Sequence, residues 1–144
     1  MSNHHDIGKY LSRIHRLQLK YLKPMFNDLN IPSSSFSFIL NIAKSPGISQ
    51  KHLSALTRVD EALATRLIHQ LEANNVVYKT RNPQDKRAFQ LYLTEEGNQI
   101  VPEIQKALRI WWDVLLEDMP IEILEKSLET MTERADTLSR KVEK

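Results

Sequence analysis

The sequence contains no cysteine and only three glycines among its 144 residues. Without cysteine, the chain has neither a disulfide framework nor thiol chemistry for redox sensing. So few glycines leave no Gly-rich loop that could cradle a phosphate, and neither G-x-S-x-G nor H-E-x-x-H occurs. These absences argue against an enzyme and give no reason to expect a cofactor.

The chain also lacks the run of about 18 apolar residues that a transmembrane helix needs. Its first ten residues, MSNHHDIGKY, lack the apolar core of a signal peptide. The five histidines show no metal-motif spacing, so no metal site is expected. We therefore expect a cytoplasmic protein with no membrane partner.

Charge is unevenly distributed along the chain, although the formal net charge is only +2. Residues 1–93 carry 13 Lys and Arg against 6 Asp and Glu, a balance of +7. Residues 94–144 carry 7 against 12, a balance of −5. This asymmetry suggests that the first two-thirds of the chain could meet a polyanion.

Apolar residues at spacings of three and four predict a long amphipathic helix over 7–29. Pro24 lies within that pattern, so a kink or a break is expected at the residue before it. A serine cap at Ser33 or Ser34 should start a second helix that runs to about Lys44.

Two short helices are expected next, one over 49–56 with Ser49 as its cap and one over 60–74 with Asp60 as its cap. Asn75 suits the end of the second helix because asparagine tolerates a left-handed conformation. The two helices are separated by roughly three to four residues, which is helix-turn-helix spacing.

Strands are predicted at 76–80 and 89–93, with a charged hairpin tip at 81–88 between them. The second strand alternates, with Phe89, Leu91 and Leu93 on one face. Two antiparallel strands behind a helix-turn-helix form a winged helix. The predicted fold is therefore mainly α with a small antiparallel β-hairpin wing.

The last third of the chain predicts two further helices, the first capped by Thr94 and the second starting near Pro120. The second has apolar residues spaced 3-4-3-4 as in a heptad seam, at Ile121, Leu124, Leu128, Met131, Ala135, Leu138 and Val142. We favour a homodimer formed by helical regions at 1–32 and 94–144, which flank a winged helix-turn-helix lobe at 33–93. The alternative is a monomeric helical subdomain.

The helix at 60–74 has a predicted buried stripe and a predicted outer face. A helix in the major groove needs short residues, hydrogen-bond donors and a group that contacts thymine methyls. The outer-face candidates are Ala62, Leu63, Thr65, Arg66 and His69. The alternative is an ordinary amphipathic helix with a solvated face.

Two further groups of residues are candidates for DNA contact. A basic hairpin tip can follow the duplex into the adjacent minor groove, although a charged, solvated turn would have a similar composition. That tip contains Arg81, Asp85, Lys86 and Arg87. The start of the helix at 49–56 could bind a phosphate through its free N–H groups and the side chains of Ser49, Gln50 and Lys51. The alternative is that Ser49 only caps the helix.

At this point the chain resembles the MarR family of bacterial and archaeal transcriptional regulators. The matching segments are SPGISQKHLSAL, TRLIHQLE and the wing sequence RNPQDKRAFQLYLTEEG. The resemblance implies a homodimer bound to double-stranded DNA at a palindromic operator. It also implies that Arg87 enters the minor groove with Asp85 as its salt-bridge partner, and that Thr65 and Arg66 read the major groove.

Many members of that family are repressors released by a small aromatic or amphipathic ligand. The resemblance places such a ligand pocket at Ile14, Tyr21, Phe36, Leu40 and Trp111. Two positions depart from the family pattern: Asn75 replaces the usual glycine, and Leu63 stands where a polar residue is common. A winged helix used only as a protein–protein adaptor or anti-regulator, without DNA binding, is the alternative function.

Overall fold

The computed structural model describes residues 4–143. In chain order the elements are α1 (His4–Asp28), a 3-10 turn (Ser33–Ser35), α2 (Phe36–Lys44), β1 (Ile48–Ser49), α3 (Gln50–Thr57), α4 (Glu61–Ala73), β2 (Val77–Asn82), β3 (Asp85–Leu93), α5 (Glu95–Leu115) and α6 (Ile121–Val142). The predicted class, mainly α with a small antiparallel sheet and a winged helix-turn-helix, is confirmed.

The chain divides into two compact units, Met1–Leu108 and Arg109–Lys144. The first unit contains the helix-turn-helix, the sheet and a buried apolar core. The largest fully buried members of that core are Leu22, Phe26, Phe38, Ile39, Ile42, Leu53, Ile68, Leu71, Leu91 and Ile104. The functional division into a lobe at 33–93 and flanking helical regions is a different partition and stays a prediction.

A kink or a break is expected at Pro24, and helix α1 continues through this residue without a break. Proline inside a helix removes one backbone hydrogen bond and costs about 3 kcal/mol. Leu22 and Phe26 flank it on the buried face and are almost wholly inaccessible to solvent. Burying two such side chains contributes roughly 1.5–3 kcal/mol each, which is enough to hold the helix together across the proline.

The entry to α2 also differs from the sequence-based expectation. Ser33–Ser35 form a 3-10 turn, and α2 begins only at Phe36, without a side-chain cap. The hydroxyl of the buried Ser35 donates instead to the Pro32 carbonyl oxygen at 2.7 Å. The Ser35 oxygen accepts no hydrogen bond from the N–H groups at the start of α2.

Both predicted caps of the helix-turn-helix are confirmed. Ser49 Oγ accepts a hydrogen bond from the His52 N–H at 3.0 Å, and Asp60 Oδ1 accepts from the Leu63 N–H at 2.8 Å. Each cap satisfies one of the N–H groups that a helix start leaves free. These caps fix where α3 and α4 begin.

The turn between α3 and α4 is held by groups that the sequence pattern does not reveal. Arg58 adopts a left-handed conformation with φ 58°, and its guanidinium donates to the Ala55 carbonyl oxygen at 2.8 Å. The buried Ser54 hydroxyl donates to the Val59 carbonyl oxygen. These bonds close the end of α3 and set the direction in which α4 leaves.

The sheet has three strands in the order β1-β3-β2, whereas the sequence predicted two. Ile48 lies opposite Leu91, and Ser49 lies opposite Gln90, in an antiparallel pair. A strand of two residues is too short to show an alternating pattern, so it was missed. Its pairing anchors the start of α3 to the wing strand.

The wing leads into α5 through a close backbone contact. Thr94 Oγ1 donates to the Asn75 carbonyl oxygen at 2.6 Å and accepts from the Gly97 N–H at 3.0 Å, so its predicted capping role is confirmed. Asn75 has φ 59°, the left-handed conformation expected of it. A Cβ atom on Gly97 would overlap the Val76 carbonyl oxygen, so only glycine fits there.

The second compact unit contains the end of α5 and α6. Across the whole of Ile121–Val142, no side chain is buried within the chain. The predicted heptad seam is largely exposed, with 51% of Ile121, 65% of Leu138 and 78% of Val142 accessible to solvent. Among the residues that the structure describes, no helix combines the length and apolar character needed to cross a membrane.

Candidate nucleic-acid interface

Helix α4 has one buried face and one exposed face. Its buried residues are Ala64, Leu67, Ile68 and Leu71, as the sequence predicted. Its exposed residues are Glu61, Ala62, Thr65, Arg66, His69, Gln70 and Ala73. This exposed stripe combines small side chains with hydrogen-bond donors, the composition that close approach to base edges requires.

Two assignments on this face change with the structure. Leu63 is only half-exposed and packs against the apolar core, so its expected outward orientation is wrong. It lies next to Ala64 and one turn before Leu67, which draws its side chain inward. Gln70 was missed, although its spacing of four from Arg66 places it on the same exposed stripe.

A side-chain hydrogen bond connects the two helices of the helix-turn-helix at this face. Gln50 Nε2, in the first turn of α3, donates to Thr65 Oγ1 at 2.9 Å. The Thr65 hydroxyl in turn donates to the Glu61 carbonyl oxygen at 2.8 Å. The structure therefore brings together two candidate residues that lie 15 positions apart in the sequence.

The other residues at the start of α3 play different roles. Ser49 is half-buried, and its hydroxyl oxygen accepts the hydrogen bond that caps α3. Capping is the alternative role that the sequence offered for Ser49 beside contact with a phosphate. Lys51 is exposed and lies one residue into the helix. Its ammonium group is therefore accessible to a phosphate near the positive end of α3.

The wing is longer and its turn tighter than the sequence suggested. Strand β2 extends to Asn82 and β3 begins at Asp85, so only Pro83 and Gln84 form the turn. Arg81 therefore lies on a strand, and the expected eight-residue tip at 81–88 is wrong.

The pairing of the wing strands is irregular near this turn. Arg81 lies opposite Phe89, and the next residue, Asn82, lies opposite Asp85. Residues 86–88 have no partner on β2 and form a bulge, which bends a strand and redirects its side chains. Lys86 and Arg87 in this bulge are exposed.

Asp85 and Arg87 interact differently from what the resemblance implied. The Asp85 carboxylate accepts a hydrogen bond from the backbone N–H of Arg87 at 3.0 Å. Their side chains form no salt bridge among the residues that the structure describes, so that expectation is corrected. Asp85 therefore shapes the backbone of the bulge, and the Arg87 side chain is exposed.

The base of the wing contains a cluster of cations around an aromatic ring. Lys79 Nζ lies 4.7 Å and Arg81 Cζ 5.7 Å from the centre of the Phe89 ring. Lys79 Nζ also lies 3.5 Å from a carboxylate oxygen of Glu72, near the end of α4. This cluster, Glu72–Lys79–Phe89–Arg81, links α4 to the wing and was missed by the sequence interpretation.

The residues of the predicted ligand pocket do not all belong to one compact unit. Ile14 and Tyr21 are exposed on α1, whereas Phe36 and Leu40 are half-buried against the core. Trp111 belongs to the second unit. A groove of about 500 Å³ lies elsewhere, lined by Leu19, Lys20, Lys23, Asn27, Pro32, Ser33 and Ser34.

Within residues 4–143, no group of three His, Asp or Glu side chains is placed to hold a metal ion.

Sequence comparison relates the chain to known transcriptional regulators. The model of the MarR family matches residues 31–89, which cover α2 to the middle of β3. The helix-turn-helix regulator BilQ of Clostridioides difficile is 32% identical over 92 residues, or 64% of this chain and 60% of that protein. The chain matches only 54–60% of the length of such curated relatives.

Structural comparison extends the similarity to most of the chain. A MarR regulator from Methanosarcina mazei has a TM-score of 0.83 at 26% identity, covering 93% of this chain and 99% of that one. A protein from Listeria monocytogenes, classed with the MarR regulators and solved with 26mer DNA, has a TM-score of 0.80 at 26% identity. That match covers 93% of this chain and 89% of the other. All three of these relatives are transcriptional regulators by name.

Proposed function

We propose that this chain is a member of the MarR family, and that it is a DNA-binding transcriptional regulator that represses transcription from a palindromic operator. The observation that carries this proposal is the exposed stripe of α4 beside a basic wing. A repressor of this kind needs only to occupy DNA that the polymerase requires. It would act in the cytoplasm, where a bacterial or archaeal chromosome is found.

Helix α4 would enter the major groove with its exposed stripe facing the bases. Ala62 and Thr65 are short enough for the helix backbone to approach the base edges. Arg66 and His69 supply donors, and arginine can make two hydrogen bonds to guanine O6 and N7. Leu63 contributes to packing rather than to this contact, since it lies partly in the core.

The wing would contact the flanking DNA. Arg87 lies exposed on the bulge and would enter the narrow minor groove, whose negative potential attracts arginine. Lys86 and Arg81 would neutralise nearby phosphates, and Asp85 would hold the bulge in shape through the Arg87 N–H. Ser49, Gln50 and Lys51 would contact phosphate at the start of α3.

A homodimer would explain the exposed apolar residues outside the DNA-binding lobe. On α1, Tyr10 and Leu17 are 56% and 53% accessible to solvent, and α6 exposes most of its heptad seam. Apolar helix faces of this size pair with a second copy more often than they remain solvated. A two-fold dimer would place two α4 helices about one helical turn apart on a palindrome.

Release by a small aromatic or amphipathic ligand is the remaining part of the proposal. Its candidate contacts are Ile14, Tyr21, Phe36, Leu40 and Trp111, all of them apolar or aromatic. A ligand that binds the DNA-free conformation better than the DNA-bound one would lower operator affinity.

Selection of bound duplexes from a random pool tests the proposal. We expect enrichment of one inverted repeat with half-sites about 10 base pairs apart, bound by two chains. A control selection with Arg66→Ala should recover a relaxed or different half-site. Failure to enrich any sequence, together with recovery of a protein partner from cell extract, would instead support the adaptor alternative.

A further inference from the structure

The hydrogen bonds of Thr65 determine what this side chain can offer to DNA. A hydroxyl has one proton to donate. That proton is committed to the Glu61 carbonyl oxygen at 2.8 Å, while the oxygen accepts from Gln50 Nε2 at 2.9 Å. Since Thr65 cannot donate to Gln50, the Gln50 side chain must present its NH₂ group, which fixes the orientation of the amide.

With its proton donated within its own helix and its oxygen accepting from α3, Thr65 has no hydrogen-bond donor left for a base, and its methyl group is the apolar feature of this exposed side chain. Thr65 is exposed, and Ala62 precedes it by three residues on the same face. A side chain as small as alanine beside it allows the methyl group to approach the floor of the groove.

The major groove offers one apolar feature that matches a methyl group, the C5-methyl of thymine. We propose that Thr65 recognises a thymine in each half-site through contact between the two methyl groups, and that Gln50 is the positioning residue that holds Thr65 in this orientation. This inference rests on the proposed DNA-binding function and specifies the base feature that α4 reads.

Replacing thymine by uracil removes only the C5-methyl group and leaves base pairing intact. In the operator recovered by selection, each thymine is replaced by uracil in turn, in both half-sites. We expect one position at which the wild type loses roughly fourfold in affinity per half-site, the effect of one buried methyl group.

Thr65→Ser keeps the hydroxyl and removes the methyl group, so it should bind the thymine and uracil operators equally at that position. Thr137→Ser is the matched control, because Thr137 is exposed and its hydroxyl donates to the Glu133 carbonyl oxygen at 3.0 Å in the same manner on α6. It should retain the fourfold difference.

Substitutions of Gln50 test the positioning role. Gln50→Lys, whose side chain only donates, should keep the thymine-to-uracil ratio, whereas Gln50→Glu, whose ionised side chain only accepts, should reduce it. The ratio compares two DNAs with one protein, so the change in charge at position 50 affects both measurements alike.

The possible failures can be distinguished from one another. A wild type that selects an operator but tolerates uracil at every thymine overturns the methyl contact alone, as does a Thr65→Ser protein that still discriminates. Equal ratios for Gln50→Lys and Gln50→Glu overturn the positioning role of Gln50. A wild type that binds all duplexes alike overturns the proposed function, and this inference with it.

Discussion

At the scale of the residue, close contacts make a few positions intolerant of change. Gly97 lies against the Val76 carbonyl oxygen, where any Cβ atom would overlap backbone. Gly8, inside α1, has no atom within 4 Å of the place where a Cβ would stand. Replacement of glycine by alanine should therefore have opposite effects on the free energy of unfolding at the two positions.

We predict that Gly97→Ala lowers the free energy of unfolding by about 1–3 kcal/mol, because the backbone must move to accommodate the methyl group. Gly8→Ala should raise it by about 0.5–1 kcal/mol, since alanine favours a helix interior. Chemical denaturation of both variants measures the difference. Equal effects at the two positions would show that the Gly97–Val76 contact is not a constraint.

Arg87 is the residue of the wing whose role in binding is most readily measured. Arg87→Ala should weaken operator binding and lower the slope of log affinity against log salt by about 1 per chain, since one phosphate-region cation is lost. Fluorescence anisotropy at several salt concentrations gives that slope. Lys126→Ala, on exposed α6, serves as the control and should leave the slope unchanged.

At the scale of the element, the wing is joined to the recognition helix by the Glu72–Lys79–Phe89–Arg81 cluster. Each cation over an aromatic ring contributes roughly 0.5–1 kcal/mol at exposed sites. The ion pair to Glu72 adds a direct connection between the end of α4 and β2. The wing therefore has a preferred orientation relative to the helix beside it.

Phe89→Leu keeps an apolar side chain but removes the ring under both cations. We predict a loss of about 1 kcal/mol in local stability, which is about a fivefold loss of hydrogen-exchange protection for the amides of β2 and β3. Phe89→Tyr retains the ring and should exchange like the wild type. Unchanged protection in the leucine variant would show that the cluster does not hold the wing.

The elements themselves were largely predictable, because caps and periodicity act locally. Ser49, Asp60 and Thr94 mark helix starts through side-chain hydrogen bonds to nearby N–H groups. The errors arose where long-range contacts outweigh local preference. Burial of Leu22 and Phe26 carries α1 through a proline, and β1 exists only because β3 lies beside it.

The candidate site was predictable as a set of residues but not in its connections. Alternation of buried and exposed positions identified Thr65, Arg66 and His69 on α4. The Gln50–Thr65 bond and the bulge at 86–88 join residues through tertiary geometry and strand register, which no spacing in the sequence encodes. Leu63 was misplaced because helical periodicity does not decide the side chains at the edge of a face.

At the scale of the whole molecule, the proposed homodimer determines how many recognition helices meet the DNA. We predict that Leu128→Lys raises the dimer dissociation constant about 10²-fold or more, because burial of two leucine side chains is lost per dimer. Thr137→Lys adds the same charge on the outer face of α6 and should remain dimeric. Sedimentation velocity across a range of protein concentrations distinguishes the two variants, and an unchanged Leu128→Lys dimer would exclude this seam from the interface.

Sequence-specific binding of DNA is tested most directly by one ratio of affinities. The wild-type protein is titrated, at physiological salt, against the selected operator and against a duplex of the same length and composition in scrambled order. We predict that the operator binds tighter by about 10³-fold or more, as specific DNA readers do. Equal dissociation constants for the two duplexes would contradict recognition by α4 and the wing.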